Sequence, residues 1–344
     1  MTEARADRGR RRRMAWLVGG GLVVLLMAFV LWYELESHAL GPAGPQVVIT
    51  IHDGETVNAV VEDLSRVHAI GSSLAFRISD LVHGDPTVLP GSYALHENQS
   101  FAEVRAILAG GPNVFVVTVN PGLTLHEVAA QVDSVPGHAG SSFAKVAASG
   151  AVRSLFSPPG SDNLEGMLGT GNYLVFPGMS DTSILGRMVQ RFDRAAAAAG
   201  LNSSSGQAFG LSPYEVIIAA SVVEKEGYIV KNMPDVARVI YNRLAADMAL
   251  QMDSTVLYAL GRDGGAVTSQ DLQFASPYNS YLNNGLPPTP ICSPSPQALA
   301  AAVHPPPGSW LYFVLVEKNG TEAFSDTFAQ QLANEKLAQS RGVG

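Results

Sequence analysis

The stretch Ala219-Ala220-Ser221-Val222-Val223-Glu224-Lys225-Glu226 sets two carboxylates at the end of an otherwise apolar run. Seven residues upstream, Ser212-Pro213-Tyr214-Glu215 carries a helix-start pattern. Ser212 can accept from the backbone N–H three positions on, Pro213 suits the first helical position, and Glu215 can reach back to the cap. Val216, Ile217, Ala219, Ala220, Val222 and Val223 make this helix apolar almost all round, which predicts a buried central helix. Gly227 is the expected stop. A carboxylate that enters an apolar wall is costly unless something uses it. Acid/base chemistry is the usual use, because burial raises a glutamate towards the working pH. Glu224 and Glu226 lie about 200° apart around a helix, so only one can serve a single cleft. Spacing alone does not choose between them. The negative end of the helix dipole near Gly227 favours the protonated form and inclines the choice to Glu226. For Glu224 the competing reading is a hydrogen bond or ion pair that orders the cleft.

Outward from that helix the chain falls into short elements. Met14 to Tyr33 is a run of twenty uncharged, mostly apolar residues, about 30 Å as a helix and enough to cross a hydrocarbon core. Arg5, Arg8, Arg10, Arg11, Arg12 and Arg13 precede it, and Glu34 and Glu36 follow. The positive-inside rule then places the N-terminus in the cytoplasm and the remainder outside. A cleaved signal peptide is the competing reading. His38 to Pro45 reads as a linker. Val47–Ile51 and Gly91–Leu95 read as strands, Thr56–Ile70 and Ser72–Val82 as helices, and Ser100 with Glu103 as a capping box. Val114–Asn120 is an alternating strand before a helix over Thr124–Val132. A further helix is expected from Pro234 to about Met248, and Trp310–Val316 as a fully buried strand.

The chain carries a net charge of −8. Its first thirteen residues hold six Arg against Glu3 and Asp7, so the rest is at −12. So acidic a body excludes nucleic acid as the expected partner. Cys292 is the only cysteine, which excludes an intrachain disulfide and a cysteine-based metal site. No His-Glu-x-x-His, Gly-x-Ser-x-Gly or Walker-type loop occurs, so metallopeptidase, serine hydrolase and nucleotide-binding chemistries lose their markers.

Downstream of the central helix come Tyr241-Asn242-Arg243-Leu244, Leu250 to Tyr258, Ser276-Pro277-Tyr278-Asn279-Ser280-Tyr281 and Gly285 to Ile291. With Glu224-Lys225-Glu226, these blocks resemble the endolytic murein transglycosylase family (MltG, YceG-like). Pro121-Gly122-Leu123-Thr124 and Leu164-Glu165-Gly166 resemble two earlier blocks. Gly227 stands where that family commonly has Thr or Ser, and Ser254 where it typically has Pro. The resemblance implies an α+β fold with an N-terminal transmembrane helix, a small LysM-like subdomain and a larger mixed α/β catalytic domain around the central helix. The expected organisation is a basic tail at 1–13, a membrane helix at 14–33, a linker at 34–46, the LysM-like part at 47–112, the catalytic domain at 113–335 and a tail at 336–344.

The resemblance also implies a peptidoglycan lytic transglycosylase with Glu226 as its single acid/base. Glu226 would protonate the glycosidic oxygen between N-acetylmuramic acid and N-acetylglucosamine. It would then take the proton of the C6 hydroxyl that closes a 1,6-anhydro ring. No cofactor and no metal is required. Glu224, Asn242, Gln251, Asp253, Thr255, Tyr278, Asn279, Tyr281 and His304 are the substrate-binding candidates, since amides, hydroxyls and aromatic faces suit acetamido sugars. Bland readings stand beside several: Asn242 and Asp253 as helix caps, Tyr278 and Tyr281 as core aromatics, His304 as structural. The expected partners are glycan strands of nascent peptidoglycan, the membrane through residues 14–33 and membrane-bound peptidoglycan synthases. The rivals are a muramidase-type hydrolase and a tethered glycan-binding scaffold without catalysis.

Overall fold

The computed structural model describes residues 3–343, without the side chains of residues 3–13 and of Ala15. The basic tail expected at 1–13, with its arginines, thus lies outside the described side chains. Helix α1 (Glu3–Ser37) is continuous. Its Trp16–Ser37 portion has a mean hydropathy of 2.1 and is long and apolar enough to cross a membrane.

Contacts divide the chain into two units, Met1–Phe115 and Val116–Gly344. In the first, β1 (Gln46–Ile51) pairs antiparallel with β2 (Gly91–His96), Val47 opposite Leu95 and Ile49 opposite Tyr93. Between these strands run α2 (Val57–Arg66) and α3 (Ser73–His83), and α4 (Phe101–Ala109) follows. Thr56, Ser72 and Ser100 each cap a helix with the side-chain oxygen, and Ser100 with Glu103 closes the expected capping box. The core joins Ile49 and Ile51 of the ribbon to Val60, Val61, Leu64, Phe76, Val104 and Leu108 of the helices.

The second unit is mainly helical. β3 (Phe115–Val119) pairs with β4 (Gly171–Val175). Between them lie α5 (Leu125–Asp133) and α6 (Gly140–Ala147), and α7 (Asp181–Ala198) follows. Helix α8 (Pro213–Glu226) is the predicted central helix. Its Ser212–Glu215 capping box is formed, Gly227 ends it, and every residue from Val216 to Val223 is buried. Around it pack α9 (Met233–Ala245), α10 (Asp253–Ala259) and α11 (Pro296–Val303). This apolar sheath leaves the terminal carboxylates of α8 half-buried, where specific partners count.

Three expectations are corrected. The Trp310–Val316 strand is shorter, β5 (Tyr312–Leu315), and only half-buried. It forms a two-stranded antiparallel ribbon with β6 (Glu322–Ser325), too narrow to bury either strand fully. The helix expected to reach Met248 ends at Ala245, and Asp247 takes a positive φ of 51°. The last helix, α12 (Phe328–Ser340), runs through the expected boundary at 335, and Val343 packs with Val316 and Ala338, so no separate tail begins at 336.

Candidate active site

Glu226 is the last residue of α8 and faces a cavity of about 590 Å³ in the second unit. Thr124, Glu127, Glu165, Lys225, Asp253, Ser254 and Tyr258 share its wall. The floor is closed by Ile291, whose backbone N–H donates to the Ser221 hydroxyl one turn below the glutamates. The Pro121–Thr124 turn is tied to the same extended segment, because Gly122 N–H donates to Ser293 O and Ser293 N–H donates to Leu123 O.

One oxygen of Glu226, Oε1, accepts from both the backbone N–H (3.1 Å) and the hydroxyl (2.6 Å) of Ser254. Among the described residues no donor reaches Oε2. Burial pushes the Glu226 carboxyl above its usual range; the Ser254 bonds pull the other way, Asp253 adds to the rise and Arg243 opposes it. This is a carboxyl with one oxygen anchored and the other free to give a proton into a cavity.

Glu224 points elsewhere, as two residues on a helix must. Its Oε2 accepts from the backbone N–H of Ser295, which caps α11. Lys225, between the two, reaches Asp263 at 2.5 Å. Asp253 opens α10 in the cavity wall, and its Oδ1 accepts from the Tyr281 hydroxyl at 2.7 Å. Tyr278 stands behind Tyr258, ring centroids 4.9 Å apart, with its hydroxyl on Thr289.

The remaining candidates lie outside the cavity lining. Asn242 sits inside α9, not at its end, and donates to Gly308 O and Trp310 O. Thr255 is buried, with its hydroxyl on Met252 O and Ser280. Asn279 is buried and donates to Leu272 O and Phe274 O. These three side chains hold the loops around the cavity together. Gln251 has a positive φ of 49° and an exposed side chain, while its N–H joins Ser280 O. His304 follows α11 and rests against Gly200.

Several cavity residues carry no role in the sequence reading, among them Ser254, Lys225, Glu165 and Tyr258. Glu165 is 8% exposed. Its Oε1 accepts from Leu125 N–H and Gly166 N–H, and its Oε2 from the Tyr258 hydroxyl at 3.3 Å. Burial raises it to about 7. Tyr258 is pushed up by burial and by that carboxylate. Glu165 stood in a block that resembled the family, so a signal existed. What spacing did not show was that it would meet Tyr258 of α10 and share a cavity with Glu226.

The family model described as YceG-like matches residues 49–337. This chain belongs to the YceG-like family. The YceG-like chain is 28% identical over 312 residues to an endolytic murein transglycosylase of Bacillus subtilis, covering 86% of each chain. It is 27% identical over 299 residues to an endolytic murein transglycosylase of Streptococcus pneumoniae, covering 78% of this chain and 54% of that one. A crystal structure of a yceG-like protein from Listeria monocytogenes superposes with a TM-score of 0.56 at 26% identity, covering 85% of this chain and 99% of that one.

Proposed function

We propose that this YceG-like chain is a membrane-anchored lytic transglycosylase that cuts peptidoglycan glycan strands internally. The observation that carries the reading is Glu226 itself: a desolvated carboxyl, anchored by Ser254 through one oxygen and open to the cavity through the other. The relatives named endolytic murein transglycosylase support the substrate class.

In the proposed reaction Glu226 donates its proton to the bridging oxygen between N-acetylmuramic acid and N-acetylglucosamine, and that C–O bond breaks. The substrate's own acetamido group stabilises the cationic carbon. The Glu226 carboxylate, steadied by the two Ser254 donors, then takes the proton of the C6 hydroxyl as that oxygen closes the anhydro ring. The proton returns to where it began and no water is consumed. Asp253, with Tyr281 behind it, and Lys225 are the polar groups that would orient the sugar. Glu224 would act at one remove by fixing the Ser295 cap of α11.

Helix α1 is read as the anchor, N-terminus inside, which would confine cutting to strands made near the bilayer, where synthases are the expected partners. The ribbon and helices of the first unit are read as a LysM-like glycan-binding part; the support is the two-helix insertion between paired strands. A specific observation favours a second reading. Glu165 supplies another carboxyl to the same cavity, and a pair of carboxyls is the usual equipment for hydrolysis by water. Mass spectrometry of products from purified peptidoglycan decides between them. Anhydromuramic ends that vanish with Glu226→Gln support the transglycosylase; reducing ends make the chain a muramidase. Binding without any cleavage leaves a scaffold.

A further inference from the structure

The last turn of α1 is docked on the core of the first unit. Trp32 and Tyr33 pack against the cluster that holds Leu64, Phe76 and Phe101. Tyr33 meets Phe101 edge-on at 6.5 Å, and Phe101 meets Phe76 at 5.0 Å. The Glu36 carboxylate lies against Gly71. Helices α1 and α3 touch, so α3 lies beside the end of α1 where its apolar run stops.

That far end is not clad for water. Leu81 is 86% exposed, Val82 78% and Leu74 63%. With the half-buried Ile78 they recur at i, i+4, i+7 and i+8, one continuous stripe. A different face of α3, through Ala75, Phe76 and Ser79, already serves the core. Single exposed apolar residues need no explanation, but an apolar stripe on a second face of a short helix does. Within α3 itself the one acid is withdrawn from the stripe, and the exposed Asp85 comes two residues past the helix end. Asp80 is buried and paired with Arg105, and the His83 ring is bonded to Ser79 O.

We propose that α3 lays Leu74, Ile78, Leu81 and Val82 into the surface of the bilayer that α1 crosses. The inference rests on α1 being a retained anchor. Trp32 and Tyr33 are the residues that belong at the level of the lipid headgroups. An apolar face of α3 laid flat at that level would be buried by ~5–10 Å, the depth usual for interfacial helices. The first unit is then held to the membrane by a span and by a second, in-plane contact, which stops it from swinging freely about its tether.

The test uses the full chain in phosphatidylethanolamine–phosphatidylglycerol vesicles. One cysteine at a time is placed by Leu81→Cys, Leu74→Cys, Glu62→Cys or Phe29→Cys and labelled with an environment-sensitive dye; Cys292 is buried and stays unlabelled. Leu81 and Leu74 are largely exposed, so their replacement removes no core packing. Nitroxide lipid is expected to quench roughly half the emission at positions 29, 74 and 81. Iodide in the water is expected to quench the label on Glu62, on α2, and to leave 81 untouched. Lipid quenching at 29 with iodide quenching at 74 and 81 overturns the inference and leaves the anchor standing. No lipid quenching at 29 overturns both. A label at 81 shielded from both quenchers means a protein covers the stripe, which also overturns the inference.

Discussion

Ser254 gives Glu226 two donors at one oxygen, the backbone N–H at 3.1 Å and the hydroxyl at 2.6 Å, from the second residue of α10 to the last of α8. Both bonds favour the charged form and so hold down a carboxyl that burial pushes up. Removing them raises Glu226 further. The alkaline limb of the pH–rate profile, where the acid is lost, should move to higher pH in Ser254→Ala. It should move further in Ser254→Pro, which removes both donors and suits the first turn of a helix. Superimposable profiles for the three proteins would refute this role for Ser254.

Replacing Glu226 by Gln keeps an acceptor for both Ser254 donors but removes the proton. Strand cleavage should fall by about 10²–10⁴-fold. The melting temperature at pH 8 should not fall, because a desolvated carboxylate costs stability where it is charged. A variant that lost activity together with several degrees of stability would argue for a structural glutamate instead.

Glu165 carries a proton in the folded protein up to about pH 7, against 4.5 for a free glutamate. Its pKa is raised on folding, so the stability it lends is complete below the unfolded value and is lost as pH rises through the folded one. Between pH 4.5 and 7 the native state should weaken, by up to about 3 kcal/mol from this group. Glu322, also raised to about 7 by burial, adds to the same slope. Glu165→Gln should flatten the fall in denaturant midpoint over that window. An unchanged slope would mean that Glu165 titrates as an ordinary carboxyl.

Gly166 has φ +74°, and a Cβ there would collide with the Pro290 ring. Gly166→Ala should cost about 2 kcal/mol or more, by left-handed strain and by overpacking. Because the neighbouring Glu165 would shift too, cleavage should fall in the same variant. Urea denaturation alongside an activity assay reads both. A variant as stable as the parent would show that the Pro290 loop yields.

The elements that could be read in advance are those governed by short-range rules. Ser212, Pro213 and Glu215 announce α8, and Ser100 with Glu103 announces α4, because a cap is a contact three residues long. The central burial of α8 was legible from its all-round apolar character. The ends of β5 were not, because whether Trp310 joins a strand depends on a partner, β6, that the local sequence does not reveal. At the site, the divergence of Glu224 and Glu226 followed from helical spacing. The partnership of Glu226 with Ser254 spans twenty-eight residues and that of Glu165 with Tyr258 ninety-three, and no periodicity encodes such pairs. Asn279 and Thr255 show the converse: residue types suited to sugars that the fold spends on its own carbonyls and hydroxyls.

Cys292 adjoins Ile291 of the cavity floor, is fully buried, and gives its thiol hydrogen to Ser221 O. Burial drives the thiol well above its ordinary range, so it is inert while the floor is shut. The rate at which an alkylating reagent finds it is therefore a stopwatch for the moments when the wall beneath the glutamates comes apart. One native atom reports on the breathing of the active site, with no engineered label.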